Sequence, residues 1–129
     1  MGRGGTGRVS YWYICSPYTR YPMGREAAFR MACRVTAALI RCGVPVLSPI
    51  CHSHPIAEHG DIDPTDVELW LRADAPLMAS ARGLIVVKAP GWRQSVGIAA
   101  EIADFTQAGK PIVFMSVREP LVIPREVLP

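Results

Sequence analysis

A chain of 129 residues, half of them hydrophobic, has the size of one domain and enough apolar side chains for one core. Its formal charge of +3 is mild and its arginines are dispersed, which excludes the dense basic stripe of a nucleic-acid polymer binder and suits a small phosphate-bearing ligand better. No apolar run approaches the ~20 residues of a membrane span. The start, MGRGGTGRVS, lacks the hydrophobic segment of a secretory signal, so a cytoplasmic protein with no membrane partner is expected.

Residues 1–9 are glycine- and arginine-rich without periodicity and read as a flexible tail, leaving 10–129 as the single domain. Tyr11 to Cys15, YWYIC, is a strand buried on both faces, stopped by Ser16-Pro17. Arg25 to Arg41 repeats apolar residues at helical spacing, with arginines along the outer face, and Gly43 ends it. Val44 to Leu47 is a short strand held between Pro45 and Pro49, a pattern proline permits only at an edge or terminus. Ile50 to Asp63, ICHSHPIAEHGDID, reads as a polar, histidine-rich loop. Asp63-Pro64 then looks like a helix start, and the helix continues through Ala81, with Pro76 expected to kink or divide it. Strand Leu84 to Val87, helix Ser95 to Ala108 and strand Ile112 to Met115 follow. The proline-broken tail from Ser116 has room for one extended segment at the sheet edge or a subunit contact.

Strands separated by helices predict parallel pairing with right-handed crossovers. The expected architecture is α/β, a three-layer α/β/α sandwich around a Rossmann- or flavodoxin-like sheet of four to five strands. Neither GxGxxG nor Walker A follows any strand, which excludes an ordinary dinucleotide or NTP binder. Four cysteines, Cys15, Cys33, Cys42 and Cys51, form no CxxC pair and read as reduced thiols.

Three loops fall at the carboxyl ends of strands, where α/β proteins bind ligands: Ser16-Pro17-Tyr18, Ser48-Pro49-Ile50 and the segment GWRQSVG. Ser95 and Gly97 stand where a helix begins, and a helix N-terminus offers free N–H groups to an anion. Glu101 comes about one turn later. Paired with Asp74, it suits glycosidic chemistry, in which one carboxylate attacks the anomeric carbon and the other manages the leaving group.

The run SVGIAAEIADFTQAGKPIVFM, with YWYICSPY and Ala73-Asp74 before it, resembles the nucleoside 2-deoxyribosyltransferase superfamily over roughly residues 9–115. The combination of SPYT, SPI and GWxxSxGxxxE most resembles an uncharacterised bacterial and phage branch of it. The resemblance implies that Glu101 is the nucleophile and Asp74 its acidic partner. It also implies a nucleoside or nucleoside monophosphate as ligand, no metal or organic cofactor, and a homodimer or homotetramer whose C-terminal segment completes a neighbouring site. Where base-exchanging transferases commonly carry aspartate, Ser95 resembles the phosphate-contacting serine of 2'-deoxynucleoside 5'-phosphate N-hydrolases. The glycine-rich first loop of those hydrolases is replaced here by SPYTRYPMGR, leaving Tyr18 and Arg20 or Arg25 as sources of the missing contacts.

Simpler readings stand beside these. Glu101 and Asp74 also suit solvated helix surfaces, and Ser95 a simple helix cap. His54 is the candidate donor to base or sugar, or else holds its loop through backbone hydrogen bonds. His52, His54 and His59 with Asp61 admit a metal-dependent hydrolase, though no fourth ligand follows at a familiar interval. Trp92 is placed to stack on a base or to pack a neighbouring subunit, while Trp12 and Trp70 read as core. The expected activity is cleavage of an N-glycosidic bond by a nucleotide N-glycosidase or deoxyribosyltransferase; the alternative is a nucleotide-binding or signalling module without turnover.

Overall fold

The computed structural model describes residues 10–129, so the expected tail at 1–9 lies outside the described residues. Four parallel strands form one sheet in the order β2-β1-β3-β4, with β1 at Trp12–Cys15, β2 at Val46–Leu47, β3 at Gly83–Val87 and β4 at Ile112–Met115. Helix α1 (Arg25–Arg41) joins β1 to β2; α2 (Pro49–Gly60) and α3 (Val67–Ser80) join β2 to β3; α4 (Val96–Gln107) joins β3 to β4. The chain moves one way from β1 to β2 and the other way from β3 to β4. Right-handed crossovers therefore place α1 and α4 on opposite faces, which gives the three-layer sandwich.

Strand alternation builds the two cores. Trp12 and Ile14 of β1, with Ile85 and Val87 of β3, pack under Met31, Val35 and Leu39 of α1. Tyr13 and Cys15, with Leu84 and Val86, turn to the other face, where Met78 of α3 and Ile98 and Phe105 of α4 cover them. Gly43, at φ 78°, ends α1 in the left-handed region as its sequence position implies, and Val44 N–H returns to Leu39 O at 3.1 Å. The short edge strand β2 follows Pro45, which lacks an N–H but still accepts from Trp12 N–H at 2.9 Å.

Three expectations need correction. Residues 50–60 are not a loop: α2 starts with Pro49 at its first turn and runs through Pro55. Proline at the first turn has no orphan N–H to lose, and tertiary contact with α1 outweighs the interruption at Pro55. Asp61, at φ 58° and ψ 47°, supplies the left-handed cap that an aspartate tolerates. The next helix starts at Val67, not at Asp63-Pro64. Asp63 instead closes a turn onto Thr65, accepting from its N–H at 2.9 Å and hydroxyl at 2.8 Å, and Asp66 caps α3 by accepting from Leu69 N–H at 3.2 Å. Pro76 does not divide α3. The C-terminal tail adds no strand; Val127 is buried and Val117, Leu121 and Ile123 pack against the α1-side core.

Candidate active site at the β1/β3 switch point

The sheet order reverses direction between β1 and β3, and the crevice outside the carboxyl ends of such a strand pair is where α/β folds bind ligands. A cavity of about 120 Å³ opens there. Its walls come from the β1 loop (Ser16, Tyr18), the start of α2 (Pro49, Ile50), α3 (Trp70, Asp74) and the start of α4 (Ser95, Gly97, Glu101).

Gly91 fixes how two of these loops meet. Its φ of 91° lies in the left-handed region, and a Cβ there would run into the backbone carbonyl of Arg20. The loop after β3 thus lies directly on the loop after β1. A short 3-10 turn, Trp92–Gln94, then delivers Ser95 as the cap of α4, its Oγ accepting from Ile98 N–H at 3.1 Å. Ser95 O receives Ala99 N–H, leaving the first N–H groups of α4, at Val96 and Gly97, without intrahelical partners. Gly97 adds no side chain between them and the cavity.

Glu101 follows one turn later and is buried, at 9 % exposure; Asp74 is 7 % exposed on the facing helix. Neither is a solvated surface acid. Loss of hydration pushes the Glu101 carboxyl up to about 8, with the charge of Asp74 adding to the rise. Burial also pushes Asp74 above the usual carboxylate range, partly offset by His52, whose Nε2 stands 3.7 Å from Asp74 Oδ1. The Tyr13 hydroxyl faces both acids and opposes each rise, yet it reaches hydrogen-bonding geometry with neither. Tyr13, Ser16 and Ser48 each bury a hydroxyl with no hydrogen bond inside the protein. An unmet buried hydroxyl costs about 1–3 kcal/mol. Ser16 lines the cavity and Tyr13 faces its two acids, so these two unmet hydroxyls fit a polar guest better than they fit packing alone.

The sequence candidates divide. Ser16, Tyr18, Asp74, Ser95, Gly97 and Glu101 line one cavity. Arg25 and His54 line a neighbouring depression that shares Tyr18 and Pro64 with it. Trp92 lies outside both and packs toward Phe114, at 5.8 Å between ring centres, with Arg93 over its face. Trp12 is core, as expected, whereas Trp70 lines the cavity and donates its Nε1–H to Asp63 O at 3.0 Å. Tyr13 has no site role in the sequence reading, although strand alternation in YWYIC, which puts it beside Cys15 on one face, is a signal for one; the sequence places Ser48 only in a strand-end loop, His52 only in a metal set and Trp70 in the core.

The histidines do not converge on a metal as His52, His54 and His59. Along α2, His52 turns toward Asp74 while His54 turns toward α1, where Tyr18 Oη lies 2.6 Å from Nδ1 and Glu26 Oε1 3.1 Å from Nε2. Among the described residues, the group close enough to hold a metal is Glu26, His54 and Glu58. The cysteines are all free; Cys15 is buried, Cys42 exposed, and Cys33 Sγ lies 3.6 Å from Cys51 Sγ. No helix among the described residues is long and apolar enough to cross a membrane.

No curated protein matches the chain significantly. A family model does match it, over residues 10–117, which spans all four strands, all four helices and every residue of the cavity. The chain therefore belongs to the family described as "Domain of unknown function (DUF1937)".

Proposed function

We propose that the cavity cleaves the N-glycosidic bond of a nucleoside or its 5'-monophosphate, with Glu101 as nucleophile. The observation that carries this reading is a pair of buried carboxyls, Glu101 and Asp74, lining one cavity beside a helix N-terminus. The free N–H groups of Val96 and Gly97 and the Ser95 hydroxyl suit a 5'-phosphate or 5'-hydroxyl, and the Trp70 and Leu71 wall suits a base.

The raised proton affinity of Glu101 shapes the mechanism. Near neutral pH the two carboxyls share one proton, because two adjacent buried charges repel. In the proposed reaction that proton passes through Asp74 to the departing base as the C1'–N bond breaks, and the bonding pair leaves with the base. Glu101, now ionised, forms an ester to C1'. Water then attacks C1', returns a proton to the carboxyl pair and frees the sugar; a second base in place of water gives transfer. In this scheme His52, beside Asp74, holds that carboxylate ready to receive the proton. No step draws on a metal or organic cofactor. Self-association through the tail, whose Val122 is 74 % exposed, belongs to the same proposal.

The experiment is incubation with deoxynucleosides and their 5'-monophosphates, with free base measured by chromatography for the wild type and for Glu101→Ala. Release by the wild type alone supports the assignment; equal release by both removes Glu101 from the mechanism. One observation favours a second reading, a nucleotide-binding module without turnover: a carboxyl still protonated near neutral pH donates a hydrogen bond more readily than it attacks. Calorimetric binding of intact nucleotide with no base released would select that reading.

A further inference from the structure

Outside the cavity, one cluster of side chains is arranged as ligands of a metal. His54 and Glu58 stand one turn apart on α2, so both project from the same face, and Glu26 meets them from the first turn of α1. We propose that these three residues bind one borderline divalent cation, of the zinc or cobalt class, at the seam between α1 and α2.

Three features support it. The first is spacing. His54 Nε2 lies 3.1 Å from Glu26 Oε1 and 3.9 Å from Glu58 Oε1, and the three ligand atoms lie within 4.8 Å of one another. Metal bonds of about 2.0–2.2 Å hold neighbouring ligands roughly 3–4 Å apart, so rotation of the exposed Glu58 side chain completes the set.

The second is outer support. The His54 side chain is only 10 % exposed, its ring stacked on Phe29 with centres 4.4 Å apart, and its Nδ1 is 2.6 Å from the Tyr18 hydroxyl. Histidine ligands commonly use the second ring nitrogen in this way, which fixes the ring and the tautomer. The second Glu26 oxygen, Oε2, accepts from Arg30 Nε–H at 3.0 Å, leaving Oε1 to face His54.

The third is Glu58 itself. A network without metal, in which His54 Nε2–H donates to Glu26, gives Glu58 no role, since 3.9 Å is too long for a hydrogen bond. It also brings two carboxylates toward one donor. A divalent cation accounts for both carboxylates and the imidazole together, with water at the remaining positions. Tyr18 lines both this depression and the cavity, so the cation would hold one cavity wall in place through His54.

The test uses full-length protein stripped with a chelator and titrated separately with zinc chloride and cobalt(II) chloride. The expected result is one equivalent bound per chain and a cobalt spectrum without thiolate charge-transfer bands. Glu58→Gln should weaken binding by at least about tenfold while leaving the melting temperature of the metal-free protein unchanged. Tyr18→Phe should weaken it by about 10–100-fold through the lost outer hydrogen bond, and the double change Cys33→Ser, Cys51→Ser should leave it intact. Absence of stoichiometric binding, thiolate bands in the cobalt spectrum, or affinity undiminished in both Glu58→Gln and Glu26→Gln would overturn the assignment.

Discussion

Asp74 on α3 and Glu101 on α4 line the same cavity, and the negative charge of Asp74 is second only to lost hydration in holding the proton on Glu101 up to about 8. Asp74 thereby helps to set Glu101, while burial raises Asp74 itself and His52 and Tyr13 oppose that rise. A helix that supplied only one of them would leave a buried carboxyl with no partner for proton traffic.

A pH dependence follows. The proposed reaction needs one proton on the pair, so the rate should fall as pH rises through about 8, where Glu101 loses it, and fall again in acid once Asp74 is protonated. Asp74→Asn removes the charge that raises Glu101, so the alkaline limb should move to lower pH and the maximal rate should drop by about 10²–10⁴. The check is a pH–rate profile of base release for both proteins. An unmoved alkaline limb in the variant would contradict the coupling.

Stability should carry the same signature. Folding raises Glu101 from an ordinary 4.5 to about 8, so its favourable contribution is complete below 4.5, declines as pH rises, and is gone beyond about 8. Glu101→Gln keeps the shape without the ionisation. It should change the melting temperature little at pH 5 and stabilise the protein by on the order of 5 kcal/mol at pH 9. Melting curves at the two pH values decide; equal effects at both would mean that Glu101 is solvated.

The legible parts of this fold were those in which one local signal dominated. The apolar run before Val87, the serine cap at Ser95 and the glycine at Gly97 announced β3, the loop and α4, and with them the placement of Glu101. The α2 segment failed that test. Two prolines and three histidines suppress helix propensity locally, and the contacts that override it, Phe29 on His54 and Cys33 on Cys51, are made with α1 and carry no sequence-local mark. The one-turn spacing of His54 and Glu58 has meaning only in a helix, which that local composition does not announce. Trp70 looked like core because half of an amphipathic helix usually is; here α3 turns that tryptophan to the cavity.

Two glycines of the site should respond oppositely to alanine. At Gly97 a Cβ would approach only Ser95 Oγ, at 3.9 Å, so Gly97→Ala should fold with unchanged or slightly higher stability. Its methyl would occupy the anion-facing helix start, weakening nucleotide binding by at least about tenfold, a loss of roughly 1.4 kcal/mol. Gly91→Ala meets both a left-handed φ and the Arg20 carbonyl, and should destabilise the protein by roughly 2–4 kcal/mol. Thermal melts paired with nucleotide calorimetry separate the two; similar destabilisation at both positions would refute the assignment of Gly97.

Ser95 tests the phosphate. Ser95→Ala loses the cap to Ile98 and should cost about 1 kcal/mol. Ser95→Asp keeps a capping oxygen and should hold stability near wild type, but places a negative charge where the phosphate is proposed to sit. Activity on 5'-monophosphates should then fall by about tenfold or more relative to free nucleosides. An unchanged preference would move the phosphate elsewhere.

The most direct measurement is mass analysis of acid-quenched protein during turnover of a deoxynucleoside 5'-monophosphate, with the modified peptide sequenced. The account predicts a sugar phosphate esterified to Glu101, lost on longer incubation and never formed by Glu101→Gln. Attachment to another side chain, or base release at the wild-type rate by Glu101→Gln, would contradict it.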